Sequence, residues 1–146
     1  MEIHQTTPPA AHETLSSNDT AIYIDVRTPE EFEQGHPEGA LNVPIQFPDP
    51  DGGRARQNGD FLQVVQRHVE PDRAVFVGCL SGGRSQRACL VLVEAGFSNV
   101  TNVRGGFGGA RDRTGKTIVE GWNEAGLPVA TGQPTGRSYV DLSAGG

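Results

Sequence analysis

Ala74-Val75-Phe76-Val77 constrains this chain more than any other stretch. A continuous apolar run too short for a helix has the pattern of a strand buried on both faces, and such strands belong to parallel sheets covered by helices on either side. The run leads into Cys79-Leu80-Ser81-Gly82-Gly83-Arg84-Ser85. Beyond it, Arg84 to Ala95 holds Ala88-Cys89-Leu90-Val91-Leu92-Val93, apolar and long enough for a mostly buried helix closed by Gly96. Cys79 therefore begins the loop at the carboxyl end of a central strand, where open α/β sheets place their sites.

The rest of the chain repeats the alternation. Ala21-Ile22-Tyr23-Ile24-Asp25-Val26 reads as a strand, and Thr28-Pro29-Glu30-Glu31-Phe32 as a helix start, with Thr28 as cap, Pro29 in the first turn and two carboxylates at the positive end of the dipole. Gly39 to Pro44 reads as a brief strand, and the Pro-, Gly- and Asp-rich span from Phe47 to Gly59 as a loop. Asp60 to Val69 has helical spacing with Asp60 as cap, and Asn99 to Val103 is another short strand. Strand and helix in this order give a parallel sheet with right-handed crossovers and helices on both faces. A chain of 146 residues is expected to be one domain over 1–130, with its Gly-, Ser- and Pro-bearing end, 131–146, as a flexible tail.

Net charge is −6, which argues against a general attraction to nucleic acid or to anionic membrane. No apolar run approaches the roughly 18 residues of a membrane span, and Met1-Glu2-Ile3-His4-Gln5 has no export pattern, so a soluble cytoplasmic protein with reduced thiols is expected. Four His and two Cys lie scattered without ligand spacing, so neither a metal nor another cofactor is expected.

A thiolate rather than a thiol is the nucleophile, so a reactive cysteine needs surroundings that favour negative charge. Gly82 and Gly83 let the backbone curl so that N–H groups form an anion nest, and the helix beginning near Arg84 adds its positive end. Arg84 is placed to cover the loop and hold an anionic donor or acceptor, and Ser81 and Ser85 to donate hydrogen bonds.

These blocks resemble a known family. Asp25-Val26-Arg27-Thr28-Pro29-Glu30-Glu31-Phe32, Gly35-His36-Pro37-Glu38-Gly39-Ala40-Leu41-Asn42-Val43-Pro44, Cys79 to Ser85, and Asn102-Val103-Arg104-Gly105-Gly106 look like a single-domain rhodanese from about Ala21 to Gly109, with 110–130 packed on that core. The resemblance implies an α/β three-layer sandwich around a mostly parallel five-stranded sheet. It also implies a sulfurtransferase in which Cys79 takes a sulfane sulfur from thiosulfate or a persulfide, and Leu80, Ser81, Gly82, Gly83, Arg84 and Ser85 bind substrate and stabilise the thiolate. Acceptors in the family include cyanide and thiols, and a sulfur-carrier protein is a compatible partner. Two positions depart from the pattern: Pro37 stands where an aliphatic residue is common, and Phe107 where many members have tryptophan.

Two rival functions share these residues. Cysteine-dependent phosphatases and arsenate reductases also use a Cys…Arg loop, but with five residues between the two, whereas Leu80, Ser81, Gly82 and Gly83 make four here. A partner-binding module that has lost the cysteine is the other, against which Cys79 and Arg84 argue. Cys89, inside the apolar helix, reads as core. Asp25 and Arg27, at a strand end, can be read as substrate binders or as a pair holding neighbouring loops, the second being favoured; His36 reads as a loop contact, Arg54 and Arg56 as guides for an anionic donor or equally as a solvated face, and Trp122 as a buried ring over the C-terminal segment.

Overall fold

Val75–Gly78, all four residues buried, is the middle strand of a five-stranded sheet. In the computed structural model, which describes residues 3–80 and 83–144, the first half of the chain gives β1 (His4–Thr6), α1 (Pro8–Ser17), β2 (Ile22–Asp25), α2 (Pro29–Gln34), β3 (His36–Pro37), β4 (Leu41–Asn42), β5 (Gln46–Phe47), β6 (Arg56–Gln57) and α3 (Phe61–His68). The second half gives β7 (Val75–Gly78), α4 (Gly83–Glu94), β8 (Val100–Val103), β9 (Ala110–Arg111), β10 (Thr117–Val119), β11 (Val129–Ala130) and α5 (Tyr139–Ala144).

The main sheet runs β1-β8-β7-β2-β4 with every neighbouring pair parallel. Alternate side chains leave a strand on opposite faces, so a sheet whose central strand, β7, is buried at every position needs a helical layer on each side. On one face Ile24, Val75, Val77 and Val100 meet Val65 of α3, Leu92 of α4 and Leu142 of α5. On the other Tyr23, Phe76 and Val103 meet Ala11 of α1, Phe32 of α2 and Trp122. This is the three-layer α/β sandwich expected above, with a sheet that is parallel throughout.

Local chemistry differs from expectation in four places. β1 and α1 come from a stretch with no apolar alternation: β1 is held by its parallel pairing with β8 and α1 by burial of Pro8 and Ala11, which are tertiary causes. The span from Phe47 to Gly59 is not all loop, because Gln46–Phe47 and Arg56–Gln57 pair as a two-stranded antiparallel ribbon. Asp60 occupies the cap position of α3 without a side-chain bond to it. Asn58 ties down this turn instead, its Oδ1 accepting from Asp60 N–H at 3.0 Å while its Nδ2 donates to Pro44 O at 2.8 Å and to Tyr139 Oη at 3.0 Å.

The fourth difference is the stretch expected to be a flexible tail. Tyr139–Ala144 is a short helix whose Leu142 is 3% exposed in the α3 and α4 core, and His68 Nε2–H donates to Leu142 O at 2.8 Å. Arg137 O accepts from Asn42 N–H at 2.9 Å along the free edge of β4. A single leucine among Ser, Gly and Ala carries no periodic signal, yet Leu142 in the core and Tyr139 against Phe47 and Asn58 dock the six residues. Leu142→Ala is therefore expected to lower unfolding free energy by about 2 kcal/mol, the low end of buried leucine truncation, in urea titrations followed by circular dichroism. An unchanged midpoint would show that this segment does not pack in solution.

Candidate active site

Gly78 ends β7 because nothing larger fits: a Cβ there would fall 1.8 Å from Tyr23 Oη. The chain then turns at Cys79, which is 2% exposed, with Sγ 3.5 Å from Ser85 Oγ in the first turn of α4. A second loop grips the first from outside. Phe107 N–H donates to Cys79 O and Gly108 N–H to Leu80 O, both at 2.8 Å. Such close backbone approach explains the glycines: Gly106 has φ +47°, and a Cβ on it would sit 2.1 Å from Cys79 O. Leu80 is 45% exposed, so the loop faces solvent immediately beside a buried sulfur. Ser81, expected as a hydrogen-bond donor, and Gly82, expected with Gly83 to form the anion nest, lie outside the described residues.

Arg84 does not lie free over the loop. Its Nη1 and Nη2 donate to Glu31 Oε1 and Oε2 at 2.8 and 3.1 Å, a two-point pairing between the starts of α4 and α2. Glu31 also closes a capping box: Thr28 N–H and Oγ1–H each donate to Oε1 at 3.1 Å, and Glu31 N–H returns to Thr28 Oγ1 at 3.3 Å. Burial alone would push the Glu31 carboxyl up, but the bonds from Arg84 and Thr28 outweigh it and hold it at about 2. One carboxylate thus starts α2 and fixes the cation of α4.

Asp25 and Arg27, placed by the sequence among possible binding residues, form a buried brace. Arg27 Nη2 donates to Asp25 Oδ2 at 2.7 Å and to Gly35 O at 2.6 Å, its Nε donates to Asp25 Oδ1 at 3.0 Å, and the guanidinium lies 4.6 Å from the centre of the Phe107 ring. The pair therefore links the end of β2, the end of α2 and the loop that grips Cys79. His36 belongs to the same layer, stacked on Phe32 at 3.6 Å, with Nδ1–H donating to Phe32 O at 2.6 Å; burial pulls its pKa down, which favours the neutral ring. Cys89 is fully buried among apolar side chains, and burial, with the nearby Cys79, pushes its thiol up to about 12. Arg54 and Arg56 are exposed around the β5–β6 ribbon. Trp122 is 1% exposed and donates Nε1–H to Pro128 O at 2.7 Å.

Sequence reasoning missed three contributors. Glu31 was legible as a helix-start residue, but its pairing with Arg84, 53 positions away, was not. Asn102 and Gln5 join the site only because β8 and β1 are parallel neighbours in register, Gln5 opposite Asn102. Ser85 Oγ–H donates to Asn102 Oδ1 at 2.5 Å, and Asn102 Nδ2 to Gln5 Oε1 at 2.8 Å.

The rhodanese-like domain model matches residues 7–112. Thiosulfate sulfurtransferase 16, chloroplastic, from Arabidopsis thaliana is 41% identical over 107 residues, covering 73% of this chain and 78% of that protein. Protein HIGH ARSENIC CONTENT 1, mitochondrial, from the same plant is 45% identical over 85 residues, 58% of this chain and 49% of its own length, so the match spans about half of that relative. The crystal structure of Rv0390 from M. tuberculosis aligns with a TM-score of 0.74 at 32% identity, covering 90% of this chain and 100% of that one.

The Glu31 geometry has a pH signature. A carboxyl held at about 2, below its ordinary 4.5, contributes stability that is fully present above pH 4.5 and is lost as pH falls through 2. Glu31→Gln is expected to be less stable than wild type at pH 7, and the gap between them to narrow as pH drops from 4.5 towards 2. Urea midpoints of both proteins across that range check it; a gap independent of pH would mean the carboxylate charge contributes nothing.

Proposed function

The chain belongs to the rhodanese-like domain family, and we propose that it is a sulfurtransferase carrying sulfur as a persulfide on Cys79. The observation that carries this reading is the placement of Cys79: a buried sulfur at the carboxyl end of the central strand, gripped by a glycine loop, with a hydroxyl and a cation in the first turn of the following helix. Arg84, held by Glu31, and the amino end of α4 stand beside the loop that carries the proposed nucleophile.

In the first half-reaction the Cys79 thiolate attacks the outer sulfur of thiosulfate. A Cys79 S–S bond forms as the donor S–S bond breaks, and the electron pair leaves with sulfite. A persulfide donor reacts alike, with a thiolate leaving. In the second half-reaction a nucleophilic acceptor, cyanide or a thiolate, attacks the terminal sulfur, and the electron pair of the breaking bond restores the Cys79 thiolate. No external oxidant or reductant enters. Ser85, by turning its hydroxyl from Asn102 to the sulfur, donates a hydrogen bond to the anionic form of Cys79. Glu31 fixes Arg84 beside the loop, while the Asp25–Arg27 brace sets loop position from below and touches no reacting atom. Small anionic donors and thiol acceptors, in the reducing cytoplasm, fit this site.

The same cysteine and arginine admit an oxyanion reading, but four residues between Cys79 and Arg84 make a ring suited to one sulfur atom better than to a tetrahedral oxyanion. The deciding measurement is intact mass after incubation with thiosulfate. Wild type and Cys89→Ala are expected to gain one sulfur atom and Cys79→Ser none. Absence of any gain with thiosulfate and with a low-molecular-weight persulfide, or rapid aryl phosphate hydrolysis that disappears in Cys79→Ser, would overturn the assignment.

A further inference from the structure

Four hydrogen bonds run in series from the buried sulfur to the surface. Cys79 Sγ–H donates to Ser85 Oγ at 3.5 Å, Ser85 Oγ–H to Asn102 Oδ1 at 2.5 Å, Asn102 Nδ2–H to Gln5 Oε1 at 2.8 Å, and Gln5 Nε2–H to Gln86 Oε1 at 2.9 Å. Every donation points outward. Ser85 is fully buried and Asn102 is 4% exposed, whereas Gln5, on edge strand β1, is open to water.

That direction suits a thiol and not a thiolate. When the sulfur has lost its proton, a Ser85 hydroxyl that turns towards it leaves Ser85 Oγ facing Asn102 Oδ1, two acceptors without a proton between them. A buried clash of this kind carries the full cost of unsatisfied polar groups. A half-turn of the Asn102 amide removes it by placing Nδ2–H on Ser85 Oγ, and Gln5 and Gln86 answer with half-turns of their own. Each member is a hydroxyl or an amide, able both to donate and to accept, so the whole chain can reverse without moving a charge.

We propose that Asn102 and Gln5 are positioning residues for Cys79, and that the Ser85–Asn102–Gln5–Gln86 chain reverses when the sulfur becomes anionic. Edge strand β1 thereby governs how readily the nucleophile forms. The inference rests on reading Cys79 as a thiolate nucleophile, and not on which molecule donates sulfur.

Among the described residues, the groups that act electrostatically with Cys79 include Tyr23 of β2 and Arg84 and Cys89 of α4, with Asp25 and Arg27 next to Tyr23; all are unchanged in the variants below. Gln5→Glu accepts only, so it holds the Asn102 NH₂ outward and Oδ1 on Ser85, opposing the thiolate. Gln5→Lys donates only and holds the reverse orientation. The pH midpoint of Cys79 alkylation by iodoacetamide, located by peptide mass, is expected to rise in Gln5→Glu and fall in Gln5→Lys, each by about half a unit.

Plain charge effects are separated in two ways. In 1 M salt, where the Debye length is about 3 Å, orientation effects persist. In an Asn102→Leu background, which cuts the chain, both shifts are expected to vanish. Unmoved midpoints, shifts abolished by salt, or shifts that survive Asn102→Leu would each overturn the proposal; should Asn102→Leu fail to fold, the salt comparison on the surface variants decides. Sulfur loading is measured separately, so a wild type that loads no sulfur would sink the sulfurtransferase reading while the titration still judges this one.

Discussion

The backbone contact between the Cys79–Leu80 carbonyls and the Phe107–Gly108 amides sets the terms for everything around it. Two loops meet main chain to main chain only where side chains are missing on one of them, which is why Gly106 and Gly108 stand where they do. Phe107, between them, faces the other way and takes the Arg27 guanidinium on its ring. The contact therefore joins the nucleophile loop to the buried Asp25–Arg27 pair, and that pair to the end of α2 through Gly35. Trp122 fills the adjoining core, its backbone N–H donating to Gly106 O at 2.8 Å.

Buried ion pairs are weak sources of net stability, because desolvation offsets most of the attraction. The Asp25–Arg27 pair makes better sense as a device for position. Arg27 spends its bonds on Asp25 and on Gly35 O, and Asp25 Oδ1 also accepts from Arg27 N–H at 3.0 Å, so the strand end has one low-energy arrangement. Glu31 does the same at the half-exposed level, fixing Arg84 while it starts a helix. In both cases a carboxylate defines where an arginine stands, and the arginine defines where a loop stands.

How much of this could be read from the chain depends on the range of the cause. Buried strands and the helix after Cys79 are local: four apolar residues, a glycine-bearing turn and an apolar stretch announce them, and the family resemblance rests on the same blocks. β1 and α5 are not local. His4-Gln5-Thr6 becomes a strand because β8 offers an unpaired edge, and Tyr139–Ala144 a docked helix because Leu142 and Tyr139 find partners beside α3 and β5. The partners of Cys79 and Arg84 were hidden for the same reason. Ser85 and Arg84 could be named from proximity in sequence, but Glu31, Asn102 and Gln5 reach the site through strand register and helix placement, and no spacing rule contains that information.

Cys79 and Cys89 together show what makes a site out of a residue type. They sit ten positions apart, on a strand end and on the helix that follows, and exposure does not distinguish them, at 2% and 0%. Surroundings do. Cys89 lies within the apolar face of α4 beside Ala88 and Leu92, and burial holds its proton on up to about 12. Cys79 has the Ser85 hydroxyl at 3.5 Å, Arg84 in the same helical turn as that serine, and a polar path through Asn102 to water. Burial without polar partners silences a thiol, whereas burial among groups that can turn to face a negative charge prepares one. The second arrangement requires β1, β7, β8 and α4 to converge, so the chemistry at Cys79 is a property of the assembled sheet more than of the loop that carries it.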